Sequence, residues 1–122
     1  MIVVDSSGWL EYFMNGILAE KYAGYLSKSR EILTPTIVLY EVFKVLKNQL
    51  GEEHALDAAM QMGETNITPL SDSLAYHAAN LSLEYKLTMA DAIIYATAQA
   101  HQATLVTSDV DFKGLPKVSY IS

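Results

Sequence analysis

A chain of 122 residues with 51% hydrophobic content is long enough to bury one core and too short for two, so a single domain over residues 1–122 is expected. Its lack of cysteine excludes disulfides and thiolate metal sites and leaves oxygen or imidazole as the ligands for any metal. A net charge of −6 excludes a broadly basic nucleic-acid-binding face, but not an enzyme that draws phosphate to cations held in an acidic pocket.

Taken in order, Ile2 to Val4 is a short β-branched run that ends in Asp5, and Ser6, Ser7 and Gly8 suit a tight turn into a helix. No basic leader precedes it, and no segment approaches the roughly 18 to 20 uninterrupted apolar residues of a membrane span. The expectation is a cytoplasmic protein with no membrane association. Trp9, Leu10, Tyr12 and Phe13 make a bulky helical segment that stops near Asn15 and Gly16. A second helix from Leu18 to Lys28 has Tyr22, Tyr25 and Leu26 on one side, where helical spacing favours packing over base stacking.

Glu31 to Thr34 reads as the second strand, and Pro35 then Thr36 open a helix to Gln49. Leu39, Val42, Phe43, Leu46 and Leu50 form its apolar stripe, with Glu41 off it. After Gly51, a helix from Glu52 to Met62 offers Ala55, Leu56, Ala59, Met60 and Gly63 as a face for close packing. Asn66 to Leu70 is a weaker strand; Ser71 and Asp72 are cap candidates for a helix to Lys86 that buries Leu74, Ala78, Leu81 and Tyr85.

Leu87 to Ala100, LTMADAIIYATAQA, is a helix whose first turn carries Asp91 and whose remainder has no charge. Thr88 suits the N-cap and places Asp91 at the third helical position, where an acid complements the helix dipole even without another role. Thr104 to Thr107 is a clear strand running into Ser108, Asp109, Val110, Asp111 and Phe112, and Val118 to Ile121 makes a last edge strand. Helices between short strands, with no two-residue hairpin turn, imply an α/β fold whose parallel sheet is covered on both faces. Ligands of such sheets gather outside the carboxyl ends of the strands. Asp5 and Asp109 lie there directly, and Glu41 and Asp91 reach the same edge from helices that leave it.

Carboxylates crowded into one crevice repel one another until some take up protons or the group holds a cation. With no cysteine and no paired histidine, hard oxygen ligands select Mg²⁺ or Mn²⁺, one or two ions, over Zn²⁺. His54, His77 and His101 have no ligand spacing between them and read as structural. Such a cluster activates a water and stabilises charge developing on a phosphodiester. Ser6, Thr107 and Ser108 are placed to orient the ligating acids. Asp111 is either a fifth acid at the metal or the cap of the short turn at Phe112, and the cap is favoured. Two other readings stand beside this one. An aspartate phosphatase or receiver domain would phosphorylate a strand-end Asp and use a strand-end Lys, which is not evident. A non-catalytic interaction module would use the acids only as helix caps.

The N-terminal VVDSS, TPTIVLYEV, TMADAIIYATA and LVTSDVDF segments resemble, in order and spacing, the PIN-domain ribonucleases, and most closely the VapC toxins of VapBC toxin–antitoxin pairs. The resemblance spans essentially the whole chain. It implies a three-layer α/β/α fold with a central parallel sheet of four to five short strands and a metal-dependent endoribonuclease leaving a 3′-hydroxyl and a 5′-phosphate. Its acidic quartet maps onto Asp5, Glu41, Asp91 and Asp109, with a family role for Thr107. A PIN-type nuclease of RNA processing outside such a pair is the alternative it leaves. Arg30 is the only arginine, so Lys44, Lys47, Lys113 and Lys117 are the candidates for gripping RNA. The resemblance further implies a small VapB-like antitoxin laying an apolar tail near the first helices, with Trp9, Tyr12 and Phe13 as anchors, and a homodimer through helix faces.

Overall fold

The computed structural model describes residues 1–122. Five short strands alternate with six helices: β1 (Ile2–Val4), α1 (Ser6–Phe13), α2 (Ala19–Leu26), β2 (Leu33–Pro35), α3 (Thr36–Leu50), α4 (Glu52–Gly63), β3 (Asn66–Thr68), α5 (Asp72–Tyr85), α6 (Met89–Ala100), β4 (Thr104–Thr107) and β5 (Val118–Tyr120). Single 3-10 turns, Ser29–Glu31 and Val110–Phe112, precede β2 and follow β4. Every strand pairing is parallel: β4 lies between β1 and β5, β2 pairs with β3, and a parallel bridge from Ile2 to Ile32 joins the two groups. The strands therefore run in the order β3, β2, β1, β4, β5.

That order has one reversal. The chain steps outward from β1 to β2 to β3, then crosses back to place β4 on the other side of β1. Since parallel crossovers are right-handed, the two directions of travel put α1 to α4 on one face and α5 with α6 on the other. The three expected layers follow, and the gap outside the carboxyl ends of β1 and β4 becomes the switch point of the sheet.

The core fills between these layers. Val3, Val4, Ile32, Leu33, Leu105 and Val106 are buried in the sheet, α3 contributes Val38, Val42 and Leu46, and α5 contributes Leu74, Ala78 and Leu81. Each such aliphatic side chain contributes about 1.5–3 kcal/mol on full burial. The uncharged body of α6 has a simple cause: Ala92 through Ala98 is buried without interruption, so no face of that stretch is left for a charge.

Several expectations need correction. The strand expected at 31–34 lies at Leu33–Pro35, because Glu31 closes a 3-10 turn and Pro35 stays extended at φ −62°, ψ 142° before the helix begins. On α4 the inward face is Ala55, Ala58 and Met62, whereas Leu56 and Met60 are 51% and 75% exposed. The face is thus turned by roughly a quarter of a helical turn from the expected one, which shared Ala55 with it. On α3 the buried stripe is Val38, Val42 and Leu46; Leu39 and Phe43, expected in it, are only partly buried, and Leu50 is exposed at the helix terminus. Tyr25 on α2 is exposed while Tyr22 and Leu26 are buried.

Candidate functional site

Asp5 is where β1 stops and α1 starts. As N-cap of α1 it accepts from the Gly8 amide through Oδ1 at 3.0 Å, while Oδ2 accepts from the hydroxyls of Ser7 at 3.0 Å and Thr107 at 2.7 Å. The carboxyl group is 2% exposed. Burial raises its pKa, the hydrogen bonds from Thr107, Ser7 and Gly8 pull it down, and the charge of Asp109 pushes it up again; the balance is upward. An acid so placed needs a cation or a proton.

Asp109 follows β4 by two residues. Its amide donates to Thr107 Oγ1 at 2.9 Å and its Oδ1 accepts from the Asp111 amide at 2.9 Å. Thr107 therefore bridges the two strand ends on either side of the switch point. The second of these bonds corrects an expectation: the cap of the turn at Phe112 is Asp109, two residues earlier than Asp111. Relieved of that task, Asp111 places a carboxylate oxygen among those of Asp91 and Asp109, all within 4.8 Å of one another.

Asp91 arrives from the other face of the sheet. Thr88 caps α6 by accepting from the Asp91 amide at 3.4 Å, which sets the acid at the third helical position as expected. Its pKa is pushed up to about 6, first by burial, then by the negative charges of Asp109 and Asp5, with a smaller push from Glu41 and an opposing hydrogen bond from Thr88. Glu41, in the second turn of α3, accepts from Ser6 Oγ at 2.6 Å, so the residue beside Asp5 fixes it. Asp5, Glu41, Asp91 and Asp109 come from four different elements, and the charges of Asp109, Asp5 and Glu41 all bear on Asp91. The tightest trio, however, is Asp91, Asp109 and Asp111.

The remaining polar candidates divide. Ser6 and Thr107 orient acids directly, whereas Ser108 accepts from the hydroxyl of Tyr22 at 2.9 Å. Sequence reasoning gave Tyr22 no part here; the only available signal was its spacing with Ala19 and Leu26, which marks an inward face. Burial pushes the Tyr22 phenol up to about 12. Lys117 donates to the Gln102 carbonyl at 2.9 Å and Lys113 lies 4.9 Å from the Tyr120 ring centroid. Lys44 and Lys47 stand on the outer side of α3, over the rings of Tyr40 and Phe43. His77 pairs with Gln99 and His101 with the Thr97 carbonyl, away from the acids. Trp9 is 1% exposed and stacks on Phe13 at 5.7 Å, so the expectation that it anchors a partner is corrected: it belongs to the core, and only Tyr12 and Phe13 of that group remain partly accessible.

What the arrangement can hold follows from its atoms. The convergent ligands are carboxylate oxygens, Asp5 and Asp91 both resist ionisation, and no ammonium or guanidinium pairs with any of them. Those features fit a hard divalent cation, whose charge removes the mutual repulsion.

A family model described as PIN domain matches residues 2–118. Among solved structures, the chain is similar to one in a toxin–antitoxin complex from Klebsiella pneumoniae, at 28% identity over 98% of this chain and 96% of that one, with a TM-score of 0.83. It is also similar to Mycobacterium tuberculosis VapC20, described as a sarcin-ricin loop cleaving toxin, at 19% identity over 97% of each chain and a TM-score of 0.80. A chain of Rickettsia felis VapBC2, bound to a DNA fragment from its promoter, aligns at 20% identity over 99% of this chain and 98% of that one, TM-score 0.75. The latter two similarities establish a common fold. No curated protein sequence matches significantly.

Proposed function

The chain belongs to the PIN domain family, and from that premise we propose that it is a metal-dependent endoribonuclease, the toxin of a type II toxin–antitoxin pair. The observation that carries this reading is the meeting of Asp5, Glu41, Asp91 and Asp109 at the switch point, with the Asp91 pKa pushed up to about 6 by burial and by its acidic neighbours. In this reading the four acids hold one or two Mg²⁺ or Mn²⁺ ions and Asp111 adds a fifth carboxylate. When bound, the cation supplies positive charge to the scissile phosphate and lowers the pKa of a water at neutral pH.

The chain's own residues prepare that site. Thr107 and Ser7 hold Asp5 so that its lone pairs keep one direction, and Ser6 does the same for Glu41. To hold a cation Asp91, whose pKa is pushed up to about 6, would have to be without its proton, so affinity would rise with pH through that range. Cleavage would leave a 3′-hydroxyl and a 5′-phosphate. A VapB-like antitoxin would hold the toxin inactive in the cytoplasm, and a homodimer through helix faces would be the working form. The similarity to a chain of a toxin–antitoxin complex supports the toxin role over RNA processing. No lysine occupies the carboxyl end of any strand, which weighs against a phosphatase or receiver domain.

The test is cleavage of single-stranded RNA by the purified chain, free of any antitoxin, with Mn²⁺ and with EDTA. Mn²⁺-dependent cleavage that Asp5→Asn and Asp91→Asn each abolish, with circular dichroism unchanged, is the expected result. Equal cleavage by those variants would overturn the site, and a failure of Mn²⁺ to bind by calorimetry would favour an interaction module instead.

A further inference from the structure

The largest cleft on the molecule, about 880 Å³, lies away from the acids, between the outer side of α3, α4 and the β3 edge. Leu39, Phe43, Met62 and Ile67 line it apolarly, and Lys44, Lys47 and Asn48 stand along it, with no acidic side chain among the lining residues. On a chain carrying 14 acids against 8 Lys and Arg, that stretch is a local reversal of sign. Its helix is also the one that delivers Glu41 to the acidic site.

The side chains here are ordered in pairs one turn apart. Lys44 Nζ lies 5.5 Å from the Tyr40 ring centroid, and Lys47 Nζ lies 5.8 Å from that of Phe43. Tyr40 is 59% exposed, and its hydroxyl accepts from Lys44 Nζ at 3.4 Å. Each pair sets an aromatic face beside an ammonium, the combination that takes a nucleobase by stacking and the adjoining phosphate by charge. We propose that the outer face of α3, with Tyr40 and Phe43 as stacking surfaces and Lys44 and Lys47 as phosphate contacts, is the track along which single-stranded RNA approaches the acids. The track deepens the endoribonuclease reading and rests on it for the identity of the strand. A double helix does not fit this chemistry, since its bases offer no free face for a ring. Lys47 also meets Glu52 at 3.7 Å, but both side chains are more than half exposed, so the pair exchanges readily for a phosphate.

The experiment measures fluorescence anisotropy of a fluorescein-labelled 12-nucleotide single-stranded RNA of mixed sequence, with Ca²⁺ present, across a salt series. The full chain is compared with Tyr40→Ala, Lys44→Ala and Lys47→Ala, whose exposed positions leave the fold intact. Tyr40→Ala should weaken binding by roughly fivefold to a hundredfold. Each lysine variant should lower the slope of log affinity against log salt by about 0.7. In Mn²⁺, KM should rise while kcat on saturating RNA holds. Unchanged affinity and slope in all three variants would overturn the track while leaving cleavage, and so the nuclease reading, untouched. If the substitutions instead convert a dimer to a monomer by light scattering with RNA affinity per protomer unchanged, the face joins copies of the chain and the track is wrong. RNA binding that depends on these residues without any Mn²⁺-dependent cleavage would leave the track standing and remove the nuclease.

Discussion

Thr107 Oγ1 donates to Asp5 Oδ2 across 2.7 Å, although 102 positions separate the two residues along the chain. The same oxygen accepts from the Asp109 amide at 2.9 Å, so one hydroxyl sets the spacing of two acids on neighbouring strands. Thr107→Val keeps the shape and removes both bonds. It should cost about 1–3 kcal/mol in a urea titration, because the Asp109 amide and one side of a buried carboxylate lose their partner. Cleavage and Mn²⁺ affinity should fall about 10- to 100-fold, and Thr107→Ser should restore most of both. Wild-type Mn²⁺ isotherms in the valine variant would remove Thr107 from the site.

Stability without metal should fall as pH rises. Asp91 titrates near about 6 in the folded chain against an ordinary value of 3.8, and Asp5 is displaced in the same direction. Between those two values the folded state keeps a proton that the unfolded state has released, so the free energy of unfolding declines through that window and levels off above it. Mn²⁺ should reverse the trend by replacing the proton, raising the melting temperature more at about pH 7.5 than at about pH 5. Asp91→Asn should melt a few degrees above the parent in EDTA near neutral pH and gain nothing from Mn²⁺. A flat pH profile of the metal-free chain would contradict this account.

Gly8 invites a substitution that helix propensity favours and packing forbids. A Cβ there would sit 2.6 Å from Tyr22 Cε1 and 2.7 Å from Val4 Cγ1, and both of those residues are fully buried. Gly8→Ala should therefore destabilise by about 1–3 kcal/mol despite the gain from alanine in a helix. Gly24 in α2 is the control, since nothing lies within 4 Å of its Cβ position, and Gly24→Ala should stabilise by up to about 1 kcal/mol. Thermal melts of the two variants should move in opposite directions.

Tyr22 fixes the loop that carries Asp109 through its 2.9 Å hydrogen bond to Ser108. Tyr22→Phe deletes that bond alone and should cost about 1 kcal/mol of stability. Were the tyrosine only a packing residue, Mn²⁺ affinity would not change. A severalfold weaker isotherm, with the melting temperature lowered only slightly, is expected for a positioning role.

By itself the sequence determined the alternation of strands and helices, the parallel sheet, and the placing of Asp5 and Asp109 at strand ends. Those features are local: a β-branched run that stops at an acid puts that acid at the strand's end whatever surrounds it. Thr88 and Asp91 were legible for the same reason, because a cap and the third helical position are set within one turn. Only the tertiary structure decided which way each helix faced. Periodicity gives a stripe but not its rotation, so the small-residue face of α4 was misplaced, Tyr25 was not separated from the buried Tyr22, and Trp9 was indistinguishable from a partner-facing ring. The elevated pKa of Asp91 and the entry of Asp111 into the acidic group belong to the same class. Both arise from charges brought together by a crossover that reverses direction between β3 and β4, and no neighbour along the chain records that distance.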